Sequence, residues 1–259
     1  MVTGRVYRYQ GILSGLSIKH QKGVTDARRG QLFTKLTREI ILVAREGGSN
    51  PEANFRLRLA IQKARDNNMP LENIERAIKR GSGGLEGVTL VEMVLEGYGA
   101  SGVAILVKAL SDNRNRPLQD ARNIFSRHGG SLGESGCVAW LFEPKGLITV
   151  PITNLDTDEL ELQAIDAGAD DIKTEGGYME IYTKPEDMER VRTAIEQQKL
   201  PIASSDMIKI SKNMVELEEK AALTTLKLLD KLEEVDEVQN VTSNADFPED
   251  ILEKYNQSA

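Results

Sequence analysis

IKHQKGVTDARRGQLFTKLTREIILVAREGGSNPEANFRLRLAIQKARDNNMPLENIERAIKRG, residues 18–81, carries three apolar stripes at helical spacing. With successive residues turned by about 100°, Phe33, Leu36, Ile40, Val43 and Ala44 fall on one side. This predicts a helix over 26–46, capped by Thr25 or a neighbour and stopped by Gly47-Gly48. Asn50-Pro51 predicts the cap and first position of a second helix, with Leu57, Ala60, Ile61 and Ala64 as its stripe and Asn67-Asn68 as its end. Pro70 opens a third helix, with Leu71, Ile74 and Ile78 inward and Gly81 as the stop. Three short amphipathic helices joined by brief turns bury their stripes against one another, so a small bundle is expected.

The outward faces of that bundle are basic. Residues 1–81 hold 16 Lys and Arg against 7 Asp and Glu, leaving 17 against 33 for the rest of a 259-residue chain whose net charge is −7. A split of this kind is the electrostatic sign of a module that meets a polyanion attached to parts that do something else. The residues expected to contact phosphates are Lys19, Lys22, Arg28, Arg29, Lys35, Arg38 and Arg45, with Arg76, Lys79 and Arg80 as a second row. A solvated surface is the competing explanation, disfavoured by the one-sided excess. On the first helix Arg28, Lys35, Arg38 and Arg45 fall within about 100° of one another, away from the apolar stripe, as a basic ridge. Glu39 and Glu46 border this ridge and offset it by only about 0.3–0.5 kcal/mol per exposed pair. Few aromatics interleave with these cations, so stacking on single-stranded bases is not expected of this module.

Beyond the flexible Gly81-Ser-Gly-Gly-Leu-Glu-Gly87 linker the periodicity changes from 3.6 to 2. Strands over 88–98 and 102–110 and a helix over 117–128 form a β-β-α unit. Strands at 137–142 and 147–150, turning across Glu143-Pro-Lys-Gly146, and a helix from Thr157 repeat the order. Strands at 171–174 and 178–183, a helix from Pro185, a strand at 205–210, a helix at 216–233 and a strand at 238–243 complete it. The fold class is therefore α+β: an N-terminal three-helix bundle followed by two α+β domains, one inserted in the other. The expected partition is 1–81, then 88–133 together with 204–247, then an inserted 134–203, with 248–259 as a polar tail.

Other motifs point away from catalysis. Gly97-Tyr-Gly-Ala-Ser-Gly102 has the spacing of a dinucleotide fingerprint but leads into a strand instead of a helix, so a hairpin turn is expected. Gly129-Gly-Ser-Leu-Gly-Glu-Ser-Gly136 likewise leads into a strand and is expected to join domains. Asp112-Asn-Arg-Asn-Arg116 before Pro117 makes Arg114 and Arg116 an alternative anion contact, weighed evenly against a polar turn. The lone Cys137 is expected in a buried strand. With His20, His128 and that cysteine, no zinc spacing can be assembled, and no metal, cofactor or catalytic group is expected. No apolar run reaches the roughly 20 residues of a membrane helix, and the stretch at Ile12–Leu16 is too short for a signal core. A cytoplasmic, non-enzymatic protein is expected.

The residues resemble a known family. Ile18-Lys-His-Gln-Lys22, Asp26-Ala-Arg-Arg-Gly30, Ala44-Arg-Glu-Gly-Gly48, Asn68-Met-Pro70, Glu96-Gly-Tyr-Gly99, Asp112-Asn-Arg-Asn-Arg116, Gly133-Glu-Ser-Gly136 and Val238-Gln-Asn-Val241 look like the YebC/PmpR family of probable transcriptional regulators. The likeness covers about residues 18–247. It implies three domains with the third inserted in the second, and DNA binding in the service of gene regulation. Mitochondrial relatives look like translational activators, so ribosomal RNA or the ribosome is the alternative partner, and the acidic domains are expected to serve a homodimer or a protein partner. A Gly-His-Ser-Lys-Trp segment usual ahead of the Ile-Lys-His run is replaced here by Tyr9-Gln-Gly-Ile-Leu-Ser-Gly-Leu-Ser17.

Overall fold

A computed structural model describes residues 26–83, 90–152, 157–175, 177–198 and 200–258. Thr25 and the atypical segment before it lie outside the described residues. The chain opens with α1 (Asp26–Gly47), α2 (Phe55–Asp66) and α3 (Leu71–Gly81). There follow β1 (Val91–Tyr98), β2 (Ala104–Ser111), α4 (Asn115–Arg127), β3 (Ser131–Leu132), β4 (Phe142–Pro151), α5 (Thr157–Asp166), β5 (Ala169–Glu175), β6 (Tyr178–Thr183) and α6 (Met188–Gln197). The chain ends with β7 (Ser204–Ser211), β8 (Val215–Glu216), α7 (Glu219–Glu233), β9 (Val238–Ser243), β10 (Ala245–Asp246) and α8 (Glu249–Ser258).

Leu36, Ile40, Val43 and Ala44 of α1 meet Leu57, Ala60, Ile61 and Ala64 of α2 and Ile74 and Ala77 of α3 in one apolar core. Two details differ from the sequence expectation. Asn50 does not cap α2; its side chain accepts the N–H of Glu52 in a turn. The cap is Asn54, whose Oδ1 accepts the N–H of Leu57 at 3.1 Å while its amide donates to the oxygens of Val43 and Gly48, both at 2.8 Å. One buried side chain thus starts α2 and ties down the end of α1. Leu71 is 56 % exposed, and Ala77 takes the inward place. Gly81 has to be small, because a Cβ there would lie 2.6 Å from the main-chain oxygen of Ile41.

The first sheet has the order β3-β1-β2-β9, antiparallel throughout. Its inner face packs Leu95, Ile105 and Val107 on Ala121 and Phe125 of α4 and on Leu226, Leu229 and Leu232 of α7. The second sheet, β5-β6-β4-β7, is antiparallel too. There Ile148, Val150, Met179 and Ile181 pack on α5 and α6. Because the second sheet lies in sequence between β3 and β9, its domain is an insertion in the first.

The tertiary pairing corrects the expected boundaries. β7 runs beside β4 from Phe142↔Ser211 to Thr149↔Ser204, so the insertion extends to about residue 211 and only β9 returns to the first sheet. The expected hairpin across 143–146 is one continuous strand, β4. Cys137 precedes a single 3-10 turn (Ala139–Leu141) and is partly exposed, not buried in a strand. The expected polar tail is α8, with Ile251 and Leu252 buried and Tyr255 Oη donating to Asp230 at 2.5 Å. The 97–102 motif is the β1–β2 hairpin connection, as its lead into a strand predicts.

Candidate nucleic-acid interface

The helical domain carries the cations, and packing divides them into two groups. Arg76, Lys79 and Arg80 project from one face of α3 at i, i+3 and i+4 spacing, opposite buried Ile74 and Ala77. All three are exposed and form no ion pair with a described residue, although Glu72 and Glu75 stand one turn back. Arg29 and Arg45 of α1 are exposed and unpaired in the same sense. So is Arg65 in the last turn of α2, which sequence reasoning passed over because it lies outside both predicted rows. The contact between Gly81 and the Ile41–Ala44 turn brings Lys79, Arg80 and Arg45 to one end of the bundle.

The second group is engaged within the molecule. Lys35, predicted for phosphate, donates from Nζ to the main-chain oxygen of Glu233 at 2.5 Å, at the C-terminal end of α7. Arg38 donates to the oxygen of Asp236, and Gln31, one turn before Lys35, donates to that of Glu234. A helix C-terminus leaves carbonyls without intrahelical partners and carries partial negative charge, so a cationic stripe is a natural complement. Burial pulls the Lys35 ammonium below its ordinary pKa against the pull of Glu233 and Asp236. Burial likewise pushes the Glu233 carboxyl up to about 7, opposed by Lys35 and assisted by Asp230. The expected ridge on α1 is therefore divided: Lys35 and Arg38 face the second domain, whereas Arg45 faces solvent, as does Arg29 on another side of the helix. Helical periodicity places Lys35, Arg38 and Arg45 together and gives no sign of which neighbour covers part of the face.

α2 faces the inserted domain. Phe55 and Leu59 join its core, the Arg58 guanidinium pairs with Glu189, and Lys63 Nζ pairs with Asp206 at 2.8 Å. Lys63 is held above its usual pKa, first by the Asp206 charge, against burial, with help from Glu39. Arg56 is paired with Glu46 inside the bundle at 2.6 Å.

The alternative anion site separates as well. Arg114 is exposed, but Arg116 Nε donates to Glu237 at 2.5 Å and its Nη2 to Asp112 at 2.9 Å. The Glu237 contact raises the guanidinium pKa further. Arg116 thus braces the turn after α7 through these two carboxylates. Lys19 and Lys22 lie outside the described residues; Arg28 is placed only by its backbone in the first turn of α1.

Sequence reasoning also missed Glu96. It is 4 % exposed on β1, and its carboxylate accepts the N–H groups of Gly136 at 2.6 Å and of Val138 and Ala139 at 2.8 Å each. Burial works against its charge, but these three bonds, helped by Lys209, hold it below the usual carboxylate range. The Gly-Glu-Ser-Gly loop is thereby fixed to the sheet, which gives both quoted motifs a structural role. Among the described residues no group of three or more His, Cys, Asp and Glu has the geometry of a metal site, and no helix is long and apolar enough to cross a membrane.

The chain matches two family models, the TACO1/YebC protein N-terminal domain over residues 16–84 and the TACO1/YebC second and third domain over residues 90–245. It is 60 % identical over 243 residues to a probable transcriptional regulatory protein of Dehalococcoides mccartyi, covering 94 % of this chain and 97 % of that one. A probable transcriptional regulatory protein of Halothermothrix orenii is 50 % identical over 241 residues, covering 92 % and 95 %. Among solved structures, the crystal structure of a conserved hypothetical protein from Aquifex aeolicus superposes with a TM-score of 0.83 at 47 % identity, covering 91 % of this chain and 97 % of that one.

Proposed function

The chain belongs to the TACO1/YebC family, and from that premise we propose that it is a cytoplasmic, non-enzymatic regulator of gene expression that binds nucleic acid through its helical domain. The observation that carries the proposal is the set of exposed cations without ion pairs among the described residues: Arg76, Lys79 and Arg80 on one face of α3, with Arg29, Arg45 and Arg65 on the same small domain. Exposed cations such as Arg122, Arg127 and Lys220 occur on the second domain too, but only residues 1–81 carry an excess, 16 Lys and Arg against 7 Asp and Glu, in a chain of net charge −7. They suit phosphates, and they supply affinity more than base readout. DNA is placed first because the relatives from Dehalococcoides and Halothermothrix are named probable transcriptional regulatory proteins. The acidic second and third domains are left for a protein partner or a second copy.

Band-shift titrations over a range of salt concentrations test this. Six neutralised phosphates correspond to a log-log salt slope of about −5 on duplex DNA, and Arg76→Ala/Lys79→Ala/Arg80→Ala removes about 2.7 of that. Unchanged affinity and slope in the triple variant overturn the assigned face. Tighter binding to ribosomal RNA than to duplex DNA in the same preparation moves the site from transcription to translation.

A further inference from the structure

The face of α1 that docks on the second domain is built from the same chemistry as a phosphate-binding face. Gln31, Lys35 and Arg38 lie at i, i+4 and i+7, and all three donate to main-chain oxygens of one short segment, Glu233 to Asp236. That segment combines the negative end of α7 with the side chains of Glu233, Glu234 and Asp236, of which Glu234 is paired with Lys231. To a cationic stripe it offers what a nucleic-acid strand offers, a row of oxygen acceptors in a negative field. The other seat of the helical domain is different in kind: beside the Arg58–Glu189 and Lys63–Asp206 ion pairs, Phe55 and Leu59 of α2 are packed in the apolar core of the inserted domain, and a polyanion does not replace that apolar contact.

We propose that Gln31, Lys35 and Arg38 with the C-terminal end of α7 form a releasable latch, and that nucleic acid competes with α7 for this stripe. Binding then swings the helical domain off the second domain about its Leu59 seat on the third. Opening adds Lys35 and Arg38 to the cations already free on α1 and α3, so the closed form holds part of the interface in reserve. The latch rests on the nucleic-acid binding proposed above.

The test uses the full chain carrying Cys137→Ser and dyes at Thr34→Cys on α1, away from the Leu59 pivot, and Lys227→Cys on α7, both exposed positions. Single-molecule energy transfer is expected to show a closed population that falls at least about threefold on saturation with a duplex or with heparin. Lys35→Ala/Arg38→Ala is expected to give the same fall with no polyanion present. In a second preparation, Gln31→Cys and Glu234→Cys in the Cys137→Ser background are joined by a short bis-maleimide. Duplex affinity should then drop at least about tenfold relative to the same protein capped with N-ethylmaleimide. A closed population unmoved by the double substitution, or equal affinity of the joined and capped proteins, overturns the latch. If no nucleic acid binds even the capped protein, the functional proposal fails; the energy-transfer response to the double substitution and to heparin still decides the latch.

Discussion

The carboxylate of Glu96 on β1 accepts the main-chain N–H of Val138 at 2.8 Å, forty-two residues along the chain, and this contact joins the first sheet to the loop that leads into the inserted domain. A fully buried Val138 follows Cys137, whose main-chain oxygen accepts both Tyr98 Oη and Trp140 Nε1. Glu96→Gln keeps the shape but replaces one acceptor oxygen with a donor facing N–H groups. A loss of about 1–3 kcal/mol is expected from urea unfolding at pH 7. Because the Glu96 pKa is depressed in the folded protein, its contribution is present above the ordinary value of 4.5 and is lost as pH falls through the folded value. The acid limb of the stability profile should therefore flatten in E96Q. Trp140, the only tryptophan in the sequence and 69 % exposed, reports the loop directly through acrylamide quenching, which should rise in the variant.

Glu233 behaves in the opposite sense. Its carboxyl has an ordinary value of 4.5 and is pushed up to about 7 by burial at the docking site. A raised acid favours the folded state while protonated, so its contribution is complete below 4.5 and is lost as pH rises through 7. Urea midpoints measured from pH 5 to pH 8.5 should fall across that window in the parent, and Glu233→Gln should remove most of the fall. A profile of equal slope in E233Q would show that the carboxyl titrates as if exposed.

Gly81→Ala tests the contact between α1 and α3. At an unobstructed helical position the change stabilises by up to about 1 kcal/mol. Here the new methyl would meet the Ile41 oxygen at 2.6 Å and the Ala44 Cβ at 2.7 Å, and the first of these is backbone that cannot turn aside. A net loss of about 1–3 kcal/mol is expected, read as a lowered urea midpoint.

The C-terminal helix is part of the second domain's core. Ile251 is 4 % exposed and packs into the cluster of α7 and β9. Ile251→Ala should cost about 2–5 kcal/mol in equilibrium unfolding. A cost below about 0.5 kcal/mol would restore the expected polar tail.

The sequence by itself determined the elements and the charge split. α1, α2 and α3 follow from stripes such as Leu57-Ala60-Ile61-Ala64, because helical periodicity is local and a single apolar face must find a core. The domain bearing the excess cations follows equally, since counting charge needs no coordinates. What the tertiary structure alone decided is partnership. β7 reads as a strand whichever sheet it joins, and only its register with β4 assigns it to the insertion. Arg38 and Arg45 read alike on a helical wheel, yet one meets the carbonyl of Asp236 and the other meets solvent. The physical reason is the same in both cases. Propensity and amphipathicity specify which face of an element is polar, but a polar face is satisfied as well by water as by the exposed carbonyls of a distant helix end, and only the packed chain selects between them.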